Sequence, residues 1–246
     1  MKITFLGTNG WYDTATGNTP CVLIETDGAF IVLDAGFGFA KVKDIVKSDK
    51  PVYLFISHLH LDHLIGLHTL PLFKFNQGIN IYAGRKELKL IHSFMKRPFT
   101  TPPLLLPTKM KFCDIARPGK LPFGFEYAPL RHSVPCYGYR FSADGATIAY
   151  CTDTGPCANL KRLAAGADLL ITESAMSPGD TSANLFHITP EAAARAASES
   201  GAKKLALCHF DPGKYPTMDH RKAAETAAKA IFANTIAAND GTTITL

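Results

Sequence analysis

Three histidines and one aspartate lie within six positions of the stretch SHLHLDHLIGL, residues 57–67. They are His58, His60, Asp62 and His63, and they directly follow the apolar run VYLFIS. Imidazole nitrogens and carboxylate oxygens are common ligands of divalent transition metals. The stretch therefore predicts either a metal site at the end of a buried strand or an unusually histidine-rich loop.

The spacing within this stretch indicates how the ligands would be shared. His58 and His60 are separated by one residue, and residues i and i+2 of an extended segment point the same way, so both rings can reach one ion. Asp62 and His63 fall where LIGLHTL predicts the start of a helix, and that turn would direct them to a neighbouring point. Four ligands so closely spaced cannot easily serve one tetrahedral ion, so we expect two adjacent ions.

Three further coordinating side chains follow apolar runs elsewhere in the chain. His132 follows FEYAPL, Asp153 follows TIAYC, and His209 follows KKLALC. Each lies just beyond a predicted strand, where α/β folds place their active sites. A lone histidine in such a place is typically structural, but three such residues together with the HxHxDH cluster are not well explained by chance. The metal site is therefore favoured over the histidine-rich loop.

The elements that must position these residues are indicated by hydrophobic patterning. Two Ala-rich amphipathic stretches, Pro190 to Ser200 and Met218 to Ala233, predict helices. Strands that come first and then alternate with helices predict an α/β fold whose sheets are covered by helices. The stretch from Lys96 to Pro107 contains four prolines and predicts an irregular loop, so we expect one domain over residues 1–246. The strand-like runs are KITFLG, CVLIET, FIVLDA, VYLFIS, NIYA, KMKFC, YGYRF, TIAYC, DLLITE, KKLALC and TTITL.

Composition limits the class of protein. The formal net charge of +5 is compatible with an anionic substrate without requiring one. The segment from Arg85 to Lys120 holds nine Lys or Arg against Glu87 and Asp114, which could meet phosphate but is more typical of a solvated face. A secretory leader and a membrane-spanning apolar run are both missing, so we expect a cytoplasmic protein without membrane partners.

The six cysteines are spread along the chain without a CxxC pair. Buried reduced thiols explain them better than a disulfide framework. Cys208 precedes His209, and strand alternation should direct its thiol to the opposite face, away from a metal. His68, His92 and His220 lie in helix-like segments and are not expected to be ligands.

HxHxDH followed later by His, Asp and His resembles the metallo-β-lactamase superfamily. The segments GYRF, YCTDTGP and FHITPEAA are most similar to its tRNase Z branch and the related phosphodiesterases. The resemblance covers nearly the whole chain, from KITFLGTNG to LALCHFDP. It implies the αβ/βα four-layer sandwich of that superfamily, with two metal ions at the sheet edges between the two halves.

The resemblance also implies how the ligands are divided between the ions. One ion would be held by His58, His60 and His132, and the second by Asp62, His63 and His209, with Asp153 bridging. We expect zinc because the set is rich in imidazole, with manganese or iron as alternatives. A flavodiiron oxidoreductase would, by resemblance, carry a glutamate in place of His60, and its absence favours hydrolysis over oxygen chemistry.

Such a site is predicted to hydrolyse a phosphodiester with a metal-bridging hydroxide, which Asp62 would orient. His187 lies ahead of the predicted N-cap Thr189 and the first helical residue Pro190. The tRNase Z branch has a catalytic histidine in such a segment, so His187 is the candidate general acid; the alternative is that it only caps the helix or packs. Asp34, in VLDAG, is implied to support the HxHxDH loop, or else it simply ends a strand.

The absence of a long insertion between His132 and Asp153 narrows the class of substrate. Short-form tRNase Z enzymes carry a Gly- and Pro-rich arm that, by resemblance, would lie between His132 and Asp153, where this chain has room only for a hairpin. A small or nucleotide-like phosphodiester, for example a cyclic one, is therefore favoured. The alternatives are an RNA-processing nuclease that grips structured RNA with residues 85–120, and a thioester or lactone hydrolase. We also expect that residues 96–120 could cover the site, and that the apolar segments LIGLHTLPLF and PPLLLP could form a homodimer interface.

Overall fold

Two β-sheets pack face to face in the computed structural model, which describes residues 1–181 and 186–246. The core between them takes side chains from both sheets, among them Ile31, Phe55, Tyr139 and Ile171. Neighbouring residues along the same strands point outward, as alternation requires, and build a separate core on the outer face of each sheet. The fold is therefore a sandwich with helical layers outside, as the sequence predicted.

The first sheet has seven strands. Its first half is antiparallel, and its second half, from β3 onward, is parallel. In spatial order the strands are β13 (Thr243–Thr245), β1 (Lys2–Gly7), β2 (Cys21–Glu25), β3 (Phe30–Leu33), β4 (Val52–Phe55), β5 (Ile79–Ala83) and β6 (Met110–Asp114).

The second sheet has six strands and the same division into a parallel and an antiparallel half. In spatial order the strands are β12 (Thr235–Ala237), β11 (Leu205–Cys208), β10 (Leu169–Glu173), β9 (Ala146–Cys151), β8 (Tyr137–Ala143) and β7 (Gly124–Pro129). The carboxyl ends of parallel strands meet at one edge of a sheet, so the residues that follow β3 and β4 and those that follow β9, β10 and β11 are brought to the edges of the sandwich.

The outer layers are helical. The layer on the first sheet consists of two α-helices and four 3-10 segments, at Phe37–Lys41, Leu61–His63, Ile65–Leu72 and Pro103–Leu105. The layer on the second sheet consists of three α-helices whose buried faces are mostly Ala and Leu. The helices are α1 (Val42–Ile45), α2 (Arg85–Phe94), α3 (Ala158–Ala164), α4 (Pro190–Ser200) and α5 (Met218–Lys229). Helix α4 has the predicted bounds, and the Thr189 hydroxyl caps it by accepting from the Ala192 N–H.

The structure departs from the sequence expectations in a few elements. The segment LIGLHTL forms a 3-10 turn rather than an α-helix, and Pro71 lies inside it. Helix α5 ends at Lys229, four residues earlier than predicted, because the chain leaves the helix in a turn before β12. Helices α1, α2 and α3 and the short edge strand β12 were not predicted.

Two expectations about the whole chain can be compared with the structure. All six cysteines are free thiols, as expected. The Cys208 side chain packs into the core between the sheets, and therefore points away from the candidate ligand His209. Within residues 1–181 and 186–246, no helix is long and apolar enough to cross a bilayer.

Candidate metal centre and active-site cleft

Three residues of the centre have a left-handed backbone just beyond a strand. They are Asp34 after β3, Asp153 after β9 and His209 after β11, with φ values of 59°, 51° and 52°. Non-glycine residues rarely adopt this conformation, and it costs free energy that the surrounding structure must offset. The sharp turn brings each side chain to the sheet edge instead of letting it continue along the strand.

The loop after β4 carries the HxHxDH residues into the same place. His58 is buried, and its ring centroid lies 4.7 Å from that of His60, as their i, i+2 spacing predicted. The 3-10 turn Leu61–His63 then turns the chain and buries the His63 ring completely. One short loop therefore delivers ligands to two neighbouring points.

The first group of ligand atoms comes from His58, His60 and His132. The His132 Nε2 and His60 Nδ1 atoms are 3.2 Å apart. The second carboxylate oxygen of Asp153, Oδ2, lies 3.7 Å from His58 Nε2 and 3.9 Å from His132 Nε2. These four residues form a cluster that could hold one metal ion.

The second group comes from Asp62, His63 and His209. The Nε2 atoms of His63 and His209 are 3.2 Å apart, and Asp62 Oδ2 lies 3.4 Å and 3.3 Å from them. The other oxygen of Asp153, Oδ1, lies 3.3 Å from His63 Nε2 and 3.1 Å from His209 Nε2. The Asp153 carboxylate thus presents one oxygen to each group.

The distances between these nitrogen and oxygen atoms match those expected between ligands around a divalent ion. Ligands about 2.0–2.1 Å from a tetrahedral ion stand roughly 3.3 Å apart, close to the separations between these atoms. The His58 Nε2 atom is buried and has no hydrogen-bond partner among the residues that the structure describes. A buried polar nitrogen without a partner is costly, and a cation would provide the missing partner.

Hydrogen bonds behind the centre orient two of these rings. The Asp34 carboxylate is 2.8 Å from His63 Nδ1 and accepts from the Ser57 hydroxyl at 2.8 Å and the Tyr150 hydroxyl at 2.7 Å. The Ser57 hydroxyl in turn lies 3.0 Å from His58 Nδ1. Because Nδ1 carries the proton in this arrangement, Nε2 of both histidines presents its lone pair to the centre. Asp34 therefore lies where the sequence placed it, directly behind the loop.

Charges and burial within the centre keep its two carboxylates ionised and His58 neutral. Burial alone would raise the pKa of Asp62, but the neighbouring His63 and His209 hold it well below its usual range. Burial likewise opposes ionisation of Asp153, and the charges of His209 and His63 again lower its pKa. Burial, together with His63, lowers the pKa of His58 well below its ordinary value. Ionised carboxylates and a neutral imidazole are the forms that bind metals.

A cleft of about 810 Å³ opens over the centre. His60, Asp62, Asp153 and His209 line its floor, and the walls come from residues 10–11, 61, 175–176, 187, 211 and 214. The described residues of 96–120 do not line it; instead, residues 97–102 and Leu105 border a separate groove with His68. The expectation that this segment covers the site was therefore wrong.

His187 enters the cleft beside the centre, paired with a carboxylate that the sequence analysis missed. Its Nδ1 lies 3.0 Å from both oxygens of Glu173, the fully buried last residue of β10. Burial of His187 favours its neutral form, but the hydrogen bond and charge of Glu173 outweigh this and raise the pKa of His187 to about 9. His187 also groups with Asp153 and His209 closely enough to be a ligand. The available signal was that Glu173 ends the run DLLITE, at a strand exit like those of Asp153 and His209.

The remaining histidines lie elsewhere, as expected. The exposed His68 contacts the carbonyl of Ile65, and the exposed His220 contacts the Thr217 hydroxyl. His92 lies on α2, where its ring meets Phe112. The structure thus brings together all seven candidate ligands named from the sequence and sets these three histidines apart.

Gly10 is expected to be essential for the position of His209. A Cβ at Gly10 would lie within 2.9 Å of three atoms of the His209 ring, so the ring would have to move. We expect Gly10→Ala to weaken metal binding roughly 10- to 100-fold, the effect typical of disturbing a ligand's support. Competition with a chromogenic chelator measures this affinity. Gly28→Ala is the matched control, because its Cβ would meet nothing nearer than 3.8 Å; equal affinities in the two variants would contradict the prediction.

Comparisons with known proteins support a common origin for this architecture. A family model described as "Beta-lactamase superfamily domain" matches residues 30–210. Ribonuclease Z of Acaryochloris marina is 28% identical over 308 aligned positions, which cover 98% of this chain and 96% of the relative. Ribonuclease Z of Pyrococcus abyssi is 24% identical and covers 91% and 90% of the two chains. The first alignment is longer than the 246 residues of this chain, so that relative carries insertions that are absent here.

Solved structures share the fold along the whole chain. A metallo-β-lactamase fold protein from Bacillus subtilis, YhfI, superposes with a TM-score of 0.81 at 22% identity and covers 99% of each chain. The short form of human tRNase Z gives 0.76 at 23% identity, covering 100% of this chain and 99% of its own. A diphosphatase of the PhnP family gives 0.74 at 19% identity, covering 100% and 97%. At these identities the likeness shows the sandwich fold alone.

Proposed function

Because this chain belongs to the β-lactamase superfamily and is a metal-dependent hydrolase, we propose that it hydrolyses a small or nucleotide-like phosphodiester with two adjacent metal ions. The observation that carries the proposal is the position of the Asp153 carboxylate, whose two oxygens face two separate groups of candidate ligands. Paired divalent ions are typical of enzymes that displace an oxygen at phosphorus. Zinc suits a set of five imidazoles and two carboxylates, with manganese or iron as alternatives.

Seven residues would hold the two metal ions that supply the chemistry. When bound, the ions supply positive charge for the phosphate oxygens and lower the pKa of water toward about 7, which makes a nucleophile available at neutral pH. His58, His60 and His132 would hold one ion, and Asp62, His63 and His209 the other. Asp153 would join the two.

Asp62 is proposed to have a second role in catalysis. Its Oδ2 accepts from the backbone N–H of Trp11 at 2.8 Å, which fixes the carboxylate at the floor of the cleft. There it would accept a hydrogen bond from the attacking water and orient it toward phosphorus. The depressed pKa of Asp62 suits an acceptor rather than a proton donor.

His187 would protonate the leaving oxygen. Its pKa of about 9 keeps it protonated at neutral pH, and Glu173 fixes its ring at the wall of the cleft. A phosphodiester that expels an alkoxide needs such an acid, because an alkoxide is a strong base. This need favours phosphodiesters over thioesters, whose thiolate leaves more readily.

The Glu173→Gln variant should move the pH dependence of the reaction. With the charge of Glu173 present, activity that needs protonated His187 should fall as the pH rises through about 9. Removal of the charge should bring this fall to a pH roughly one to three units lower. The profile of kcat/KM against pH with 2′,3′-cyclic AMP measures the shift. If the variant has a normal melting curve but its kcat/KM falls at the same alkaline pH as in the wild type, the proposed role of Glu173 in raising the pKa of His187 is contradicted.

Hydrolysis of bis(p-nitrophenyl) phosphate by metal-loaded protein tests the function itself. A chelated sample should be inactive and regain activity when zinc or manganese is restored. Lactone and thioester substrates should be turned over much more slowly by the same preparation. Two bound metals per chain without phosphodiester turnover, combined with rapid lactone or thioester hydrolysis, would overturn the proposal.

RNA processing is the second candidate, favoured by the curated relatives named ribonuclease Z. Against it, β8 and β9 are joined by a tight turn at Asp144 and Gly145, so no arm projects between His132 and Asp153. The nine Lys and Arg of residues 85–120 are all exposed and could contact phosphates instead. Salt-sensitive binding of structured RNA that is lost when these Lys and Arg residues are replaced by Glu would support this candidate.

A homodimer is a further proposal. Leu72, Leu104 and Leu105 belong to the two apolar segments named from the sequence, and each is more than half exposed. Sedimentation analysis of the protein would show whether the chain associates in solution.

A further inference from the structure

One wall of the cleft carries an aromatic side chain that the proposed mechanism does not use. Trp11 lines the cleft, and 72% of its surface is exposed. It is the single tryptophan of the chain. A large aromatic side chain left open to solvent beside a catalytic centre is typical of a surface that contacts a ligand.

The backbone holds Trp11 at a fixed place relative to the centre. Its φ of 64° lies in the left-handed region, which non-glycine residues rarely adopt. Its N–H donates to Asp62 Oδ2 at 2.8 Å, so the loop is bound directly to the proposed floor of the reaction site. The Tyr12 ring packs edge-on against the indole, with centroids 5.3 Å apart. The indole therefore lines the same cleft as Asp62 and Asp153, where the phosphate of the substrate is proposed to lie.

The rest of the cleft fits a ligand larger than a phosphate. Its volume of about 810 Å³ is in the range of pockets that hold whole small molecules, roughly 300–1,000 Å³. Leu61, 63% exposed, adds apolar surface to the same cleft, while Asp211 and Lys214 add a carboxylate and an amine. A group with a flat apolar face and a polar edge matches this combination.

We propose that Trp11 is the platform on which a nucleobase of the substrate stacks, while the phosphodiester lies over Asp62 and Asp153. The inference rests on the proposed phosphodiesterase function and narrows its substrate to nucleotides. Every base offers a flat π-face, so stacking on an indole selects nucleotides without selecting one base. Asp211, and Lys214 from its ion pair with Asp180, would face the polar edge of the base or the ribose hydroxyls.

Tryptophan fluorescence reports this contact without any turnover. Because the chain has one tryptophan, its emission comes from Trp11 alone. Metal-loaded protein titrated with AMP should show saturable quenching, whereas ribose 5-phosphate, which lacks the base, should leave the emission nearly unchanged. AMP that binds by calorimetry without changing the emission would overturn the proposal.

A pair of substrates with the same leaving group provides the kinetic test. Thymidine 5′-(p-nitrophenyl phosphate) carries a base, and methyl p-nitrophenyl phosphate does not. Trp11→Ala should lower kcat/KM for the thymidine substrate about tenfold more than for the methyl substrate, and Trp11→Phe should recover most of the difference. Phe99→Ala is the matched control, because Phe99 is 70% exposed but borders the other groove, and it should leave the ratio unchanged.

The outcomes separate this inference from the function on which it rests. Equal losses on both substrates in Trp11→Ala would overturn the platform and leave the phosphodiesterase intact. A tryptophan-dependent preference for octyl p-nitrophenyl phosphate over the thymidine substrate would also overturn it, in favour of an alkyl group. If wild-type protein hydrolyses neither p-nitrophenyl substrate, the proposed function fails, and the fluorescence titration alone decides whether a base binds at Trp11.

Discussion

Asp153→Asn is expected to reduce the bound metal from two ions per chain to one or fewer and to lower phosphodiester hydrolysis on the order of a thousandfold. An amide offers one oxygen and no charge, whereas the Asp153 carboxylate presents an oxygen to each group of ligands. Its loss would remove the negative charge that would join the two ions, and metal ions typically contribute several kcal/mol to stabilising the transition state. Each 1.36 kcal/mol corresponds to a factor of ten in rate. Elemental analysis and turnover of bis(p-nitrophenyl) phosphate measure the two effects.

The control for this variant is Asp144→Asn. Asp144 also has a left-handed backbone, with φ of 48°, but it lies in the exposed β8–β9 turn. Asparagine tolerates this conformation, so both variants should fold. Asp153→Asn protein that retains two metals and normal turnover would contradict the bridging role, and the division of the ligands into two groups would need revision.

His187→Ala is expected to have an effect that depends strongly on the leaving group. With 2′,3′-cyclic AMP, whose leaving oxygen belongs to ribose, kcat should fall roughly 100- to 1,000-fold, the contribution typical of a general acid. With bis(p-nitrophenyl) phosphate the loss should be only a few-fold, because p-nitrophenolate leaves without a proton. Steady-state kinetics on both substrates in the same preparation measures this contrast.

Metal content distinguishes the acid from a ligand. His187 lies close enough to Asp153 and His209 to bind an ion, and a ligand's loss would lower turnover of both substrates together with the metal. We expect His187→Ala to keep two ions per chain. His92→Ala, which removes an exposed histidine on α2, should leave kinetics and metal content unchanged. A similar loss on both substrates would argue against the general acid.

Much of the centre could be predicted because its signals are local in the chain. The i, i+2 spacing of His58 and His60 and the strand-exit positions of Asp153 and His209 follow from strand alternation and apolar runs. The caps of α4 were equally local, and the structure reproduces its predicted bounds. Strand positions were predicted for the same reason, since most strands alternate between two buried faces.

The misses have physical causes as well. LIGLHTL has the apolar residues of a helix but is followed directly by Pro71, and the segment packs as a 3-10 helix against the first sheet. The Pro-rich segment was expected to cover the cleft because of its composition, yet its position depends on how it packs, and it borders another groove. Composition alone does not determine which surface a loop contacts.

The family and the sandwich fold were predicted correctly from the sequence, and the seven candidate ligands could be named from it, because ligand residue types and strand patterning are visible in short stretches. How these side chains combine is visible only in the folded chain. His63 and His209 are 146 residues apart in the chain, Trp11 and Asp62 are 51 apart, and each pair is in contact. Glu173 supports His187 only because β10 ends beside the start of α4. Such contacts depend on how the two sheets pack face to face and bring the ends of their strands together, and no local pattern in the chain encodes that packing.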